Sequence, residues 1–270
     1  MVDMEELELL YFSNDDSVPY NLSNSIDING NVCKKEYKLM IRPIKVKEWS
    51  SFNNCLTVLT KELQDYNSPE IIQMSYLEFL CVILFEIDNE ASYKLKVILE
   101  KSLGLKNVNV SMYKNKPCLT IHDDNENVLA IITPKEFNDI KKIILFQNII
   151  NYDDRYISPD IKKELEEYEK IKYANKDIVN PTLEKQKVFV ISKTGISMKD
   201  INEMTYRTFT QVYDCNVNVD IYFAQKILQA SQKYDMKEDA IHPLFKKEED
   251  RLKGAFTSKG DFEGKMKNVT

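Results

Sequence analysis

Glycine is scarce. The 270-residue chain holds six, and three of them, Gly254, Gly260 and Gly264, fall close to the C-terminus. Gly30, Gly104 and Gly195 stand alone, which excludes a glycine-rich loop of the kind that cradles phosphate. Arginine is nearly as rare, with Arg42, Arg155, Arg207 and Arg251 the full set. Bidentate contacts to phosphate or guanine favour arginine over lysine. The 37 basic residues are outnumbered by 43 acidic ones, giving a net charge of −6. A nucleic-acid binder usually carries the opposite excess, so no nucleic-acid partner is expected.

Histidine occurs twice, at positions 122 and 242. The five cysteines, Cys33, Cys55, Cys81, Cys118 and Cys215, are widely spaced and form no C-x-x-C pair. That pattern fits neither a disulfide framework nor a structural zinc site, and reads as free thiols in a reducing compartment. Long apolar runs are missing. The longest, Phe79–Phe85, is seven residues, against about 20 for a membrane-spanning helix. The opening Met1–Glu6 is acidic where a signal peptide would be basic. A soluble cytoplasmic protein with no membrane partner is the expectation.

What is present is helical periodicity with one interruption. Met4–Phe12 reads as a short helix, and the Asn-, Asp- and Ser-rich stretch 13–31 as a loose arm. Residues 36–44 alternate like a strand ended by Pro43. Val46, Trp49, Phe52, Leu56, Leu59, Leu63 and Tyr66 recur at steps of three and four, predicting one helix whose stripe, Trp49 included, is core. Ser68-Pro69-Glu70 starts a second helix, over 69–87, apolar on nearly all sides and therefore central. A third runs over 89–103 to Gly104.

The period then changes. Runs at 108–112, 118–122 and 128–132, separated by Asn115-Lys116-Pro117 and by Asp123–Asn127, predict a three-stranded antiparallel meander. Thr133 and Glu136 form a capping-box pattern opening a helix to about residue 150. Residues 182–193 fit either a strand or a helix, and helix is the reading adopted. Ser197–Asp200 caps a helix to about residue 212, and a last helix covers 217–234.

The expected organisation is an N-terminal arm (1–33), a helical core with a β-meander (34–150), a charged connector (151–181), a C-terminal helical region (182–236) and a flexible or partner-docking tail (237–270). The fold class is α+β, mainly helical: a helical bundle with a small antiparallel three-stranded meander and an extended C-terminal tail.

No catalytic set emerges, and no cofactor or metal is expected. Cys118 and His122 are four apart in a strand and share a face. They lack a third ligand, and packing is the plainer reading, with a small enzyme site near them as the remote alternative. Asp123-x-Asn125-x-Asn127 starts like a calcium loop, but Val128 stands where that loop needs glycine and Pro134 where it needs its closing glutamate. Glu164, Glu166, Glu167 and Glu169 read as a solvated helix face. His242 has no evident sequence partner. In the tail, Leu244, Phe245, Leu252, Phe256 and Phe262 are spaced apolar residues among charges. They read as candidate anchors for a partner protein, ordered only when bound.

Three segments carry a resemblance. Ile41–Glu48, leading into a helix, looks like the P-x-x-V/T-x-E opening of tail- and baseplate-assembly proteins of contractile-tailed phages. Thr194–Phe209 resembles a GIS-x-x-DI-x-x-MT-x-x-x-F segment of phage tail assembly chaperones, and His242–Glu249 resembles their charged C-terminal extension. The abundance of Lys, Asn and Ile suits an AT-rich phage or bacterial genome. The resemblance implies a non-enzymatic role in building a phage tail or tail-like particle inside the bacterial host. The implied partners are the tape-measure protein or baseplate and hub components. The alternative is a structural tail or baseplate component retained in the particle.

Overall fold

A computed structural model describes residues 17–149 (apart from 24, 27, 28, 30, 35 and 67), residue 152, residues 181–231 and residues 241–242. The expected helix at 4–12, the glutamates at 164–169 and the tail beyond 242 lie outside the described residues. The chain divides into two units. The first comprises 1–154 together with 196–211, and the second 155–195 together with 212–270.

The first unit is α+β. Strand β1 (Val18–Leu22) lies in the stretch read as a loose arm and pairs antiparallel with β4 (Tyr37–Ile41), Val18 opposite Ile41 and Tyr20 opposite Leu39. Val18, Leu22, Leu39 and Ile41 are buried, so alternate residues enter the core. The Asn and Ser content around β1 hid that alternation. A short pair follows, β2 (Ser25–Ile26) with β3 (Val32–Lys34).

The stripe at 46–66 does not form one helix. A 3-10 turn at Val46–Glu48 leads into α1 (Trp49–Leu56), the chain turns at 57–60, and a second 3-10 turn covers Leu63–Tyr66. The residues still face inward, since Phe52, Leu56 and Leu59 are buried. The run at 69–87 is also broken. Helix α2 (Pro69–Gln73) stops, and α3 (Tyr76–Phe79) restarts behind Ser75. The Ser75 hydroxyl accepts from Glu78 N (3.3 Å) and the Glu78 carboxylate accepts from Ser75 N (2.7 Å). This reciprocal cap ends one helix by starting the next, and Ser75 holds the Glu78 carboxyl below its ordinary range. One π-helical turn, Leu80–Leu84, follows α3, then α4 (Phe85–Ile87). Helix α5 (Ala91–Leu103) ends as expected at Gly104, whose φ of 69° places it in the left-handed region.

The meander is present, in the order β5 (Val108–Tyr113), β6 (Lys116–His122), β7 (Val128–Ile132). Its first turn sits one residue earlier than expected, at Lys114-Asn115, both at positive φ (50° and 61°). That is the backbone a two-residue hairpin requires. Central β6 is buried on both faces from Pro117 to Ile121.

Helix α6 (Pro134–Asn148) forms as the capping box predicts, with Thr133 N donating to Glu136 (2.9 Å). The same buried carboxylate accepts from Ser23 N (2.8 Å) and Ser23 Oγ (2.9 Å), tying the end of β1 to the start of α6. At the other end, Gln147 Nε2 donates to the Ile41 carbonyl (2.9 Å), and Asn148 Oδ1 accepts from Ile44 N (3.0 Å). These buried amides satisfy the backbone on either side of Pro43, where no strand partner can.

The segment 196–211 completes this unit rather than joining a C-terminal region. Helix α8 (Met198–Glu203) stops at Met204, and the next helix starts at Tyr206, not near 217. Between them Met204 O accepts from Val46 N (3.0 Å), and Tyr206 N donates to Ile44 O (2.8 Å). Glu203 takes both Lys45 (2.7 Å) and Lys47 (2.5 Å), which pull its carboxyl down to about 2. Arg207 donates to the Phe146 carbonyl and lies over the Phe146 ring.

In the second unit, residues 183–194 are helical (α7, Leu183–Thr194), with Thr182 as N-cap and left-handed Gly195 beyond the end. Helix α9 (Tyr206–Ala230) runs unbroken, and its residues from 212 onward belong to this unit. Phe189 of α7 meets Tyr213 of α9 edge-on (5.7 Å between centroids), and Lys193 pairs with Asp220 at 2.7 Å. Among the described residues no helix is long and apolar enough to cross a membrane.

Candidate functional site

The five tail anchors, Leu244, Phe245, Leu252, Phe256 and Phe262, lie outside the described residues. One stretch of exposed apolar surface that is described precedes them in the chain, at the end of α9, beside others such as Ile87, Tyr93 and Met112. Beyond Val212 this helix carries two apolar stripes. Tyr213, Val217, Ile221, Ala224 and Leu228 form one, and Val212, Val219, Phe223, Ile227 and Ala230 the other. Beyond Asp220 the side chains face solvent: Ile221 is 49% exposed, Phe223 56%, Ile227 70% and Leu228 41%. Branched and aromatic side chains are thus exposed together over about two turns, as is common at interaction surfaces. The sequence carried the signal, since a helix with two apolar stripes needs more than one covering partner. The reading of 217–234 as a separate short helix obscured it. His242, read as partnerless, meets Tyr222 of α9 edge-on, with centroids 5.1 Å apart.

The Cys118–His122 reading resolves differently. His122 Nδ1 lies 3.0 Å from the Glu126 carbonyl and Nε2 2.9 Å from Thr120 Oγ1. The carbonyl can only accept, so Nδ1 carries a proton. Both ring nitrogens therefore serve the hairpin. Thr120 is fully buried, and its Oγ1 also lies 3.2 Å from the Asn109 carbonyl. Cys118 is buried and Cys81 half-buried, and burial pushes both thiols up, away from the reactive thiolate.

Asp123 is a turn residue. Its Oδ1 accepts from Asn125 N (2.9 Å) and Asn127 N (2.8 Å), and Oδ2 from Asn127 Nδ2 (3.1 Å). These bonds hold its carboxyl below its ordinary range. Lys96 and Lys106 face His122, Asp123, Asp124 and Glu126 across a polar cleft of about 480 Å³. Charges of both signs line it, so it offers no single-sign field to a charged ligand. Among the described residues no group of three or more His, Cys, Asp or Glu side chains is placed to hold a metal ion.

Comparison with protein-family models, curated proteins and solved structures gives no match.

Proposed function

We propose that this chain is a non-enzymatic morphogenesis factor of a phage tail or phage-tail-like particle. It binds the helical tape-measure protein, or a baseplate-hub component, during assembly. The observation that carries the reading is the exposed apolar end of α9, Ile221, Phe223, Ile227 and Leu228. An apolar helical partner laid on the stripe of Phe223 and Ile227 would cover it in the manner of a helix in a groove, and a second partner segment would cover Ile221 and Leu228. The tail residues Leu244, Phe245, Leu252, Phe256 and Phe262 lie further along the chain and supply further anchors in the same scheme. The net charge of −6 keeps the free protein soluble while that surface is open. The choice of tail proteins as partners rests on the resemblance of 41–48, 194–209 and 242–249 to tail-assembly proteins.

Co-expression with a phage tape-measure protein is the test. The tape measure should stay soluble and co-purify with this chain, and aggregate without it. An equally soluble tape measure in both cases overturns the proposal. Mass spectrometry of purified particles then separates an assembly factor, scarce in the particle, from a retained structural component, present in fixed ratio to the tube.

A further inference from the structure

A cavity of about 410 Å³ opens in the first unit where α1, the turn at 57–60, the end of α6 and the start of α9 meet. One wall is aromatic. Trp49 and Tyr206 stack with centroids 3.6 Å apart and planes within 8° of parallel, and both line the cavity. Leu56 and Ile149 add aliphatic surface. Among the described residues, the lining holds no Asp, Glu, Lys or Arg. A charged ligand would lose its hydration there and gain no counter-charge.

The polar groups of the lining have a definite polarity. Thr57 Oγ1 donates to the Asn54 carbonyl (2.9 Å), Thr60 Oγ1 to the Thr57 carbonyl (3.3 Å), and Thr210 Oγ1 to the Tyr206 carbonyl (2.9 Å). A hydroxyl has a single proton, so these three can offer a ligand only lone pairs. The Asn148 amide is held by the backbone at both ends, its Oδ1 accepting from Ile44 N and its Nδ2 donating to the Ile144 carbonyl. Exposed Asn53 adds a side-chain amide, and Trp49 and Tyr206 carry an N–H and an O–H of their own.

We infer that this cavity binds a neutral aromatic ring carrying an O–H or N–H donor, a phenol or an indole. The ring lies against the Trp49–Tyr206 wall and its donor reaches the threonine oxygens. A sugar fits less well, because the lining is mostly apolar and would leave many of its hydroxyls without partners. The ring can come from a tyrosine or tryptophan side chain of a polypeptide or from a free phenol.

Trp49 is the one tryptophan in the chain, so its indole N–H resonance reports on the cavity alone. The full-length protein is titrated with N-acetyltyrosinamide, N-acetylphenylalaninamide, p-cresol and glucose. The expected result is a saturable Trp49 shift with N-acetyltyrosinamide and binding weaker by about tenfold for the phenylalanine amide, the effect of one unmade hydrogen bond. Tighter binding of the tyrosine amide than of p-cresol assigns the site to a side chain, and the reverse order to a free phenol. The exposed double variant Thr57→Val/Thr60→Val should bring the tyrosine amide down to the level of the phenylalanine amide. Asn53→Phe, also at an exposed position, should abolish both shifts by filling the mouth. Equal binding of the two amides overturns the inference. So does the absence of a saturable shift up to the solubility limit, a stronger response to glucose, or unchanged binding in Asn53→Phe.

Discussion

The ammonium nitrogen of Lys141, on α6, lies 3.2 Å from the centre of the Tyr76 ring. The ring is fixed because the Tyr76 hydroxyl donates to the Val58 carbonyl at 2.7 Å. Burial outweighs the pull of Glu62 and brings Lys141 down to about 7, against about 10.4 in an unfolded chain. Below about 7 both states hold the proton, and the folded state bears the whole cost of the buried charge. Between about 7 and about 10.4 the unfolded chain binds more protons, so this group makes stability rise with pH.

Lys141→Met is accordingly expected to be more stable than the parent protein at pH 6, by roughly 1–4 kcal/mol, the range for replacing buried charge with apolar volume. The advantage should shrink steadily as pH is raised toward about 10. Urea unfolding of both proteins across that range checks it. A pH-independent difference would contradict the assignment of a desolvated amine.

Leu80 begins the π-helical turn and is fully buried among the core residues. Leu80→Ala should cost roughly 2–5 kcal/mol, the usual sum of lost transfer energy and cavity. An unchanged thermal midpoint would show that 80–84 is not packed as described.

Glu136 joins two segments, whereas Thr133 serves only its own helix. Thr133→Ala should cost about 1 kcal/mol, as a lost N-cap does. Glu136→Ala should cost more, roughly 1.5–3 kcal/mol, because charge-assisted bonds to Ser23 go with it. Equal losses in the two variants would mean that the tie between β1 and α6 contributes nothing.

Lys114 and Asn115 both hold positive φ in the first turn of the meander. Asn115→Gly relieves that backbone and should stabilise the protein by roughly 0.5–1 kcal/mol, the scale of a left-handed side-chain penalty. A loss of stability would place the turn elsewhere.

The sequence made local features plain where one residue type has one physical use. Gly104 and Gly195 end helices, Thr133 and Glu136 start one, and alternation at 108–132 gives the meander. It was less direct where a cap lies inside an apolar run. Ser75-x-x-Glu78 is a capping box, but 69–87, apolar on nearly all sides, read as a single helix. β1 was missed because its neighbours are Asn and Ser, and its pairing with β4 is not local. The return of 196–211 to the first unit depends on Glu203, Tyr206 and Arg207 meeting residues far away in the chain, which no periodicity encodes. Of the candidate partner surface, the helix bearing Ile221, Phe223, Ile227 and Leu228 was legible, but their exposure was not. Exposure is decided by what the neighbouring helix leaves uncovered.

The central claim is that the end of α9 is a protein-binding surface. The direct measurement is affinity capture of the co-expressed tape-measure protein by this chain and by Phe223→Asp/Ile227→Asp. Both substitutions fall at exposed positions, and circular dichroism confirms that the variant keeps its helix. The account predicts efficient capture by the parent chain. The variant should lose about tenfold or more, since truncated anchors commonly cost about 2 kcal/mol or more. Equal capture by both proteins, or no capture by the folded parent chain, would contradict it.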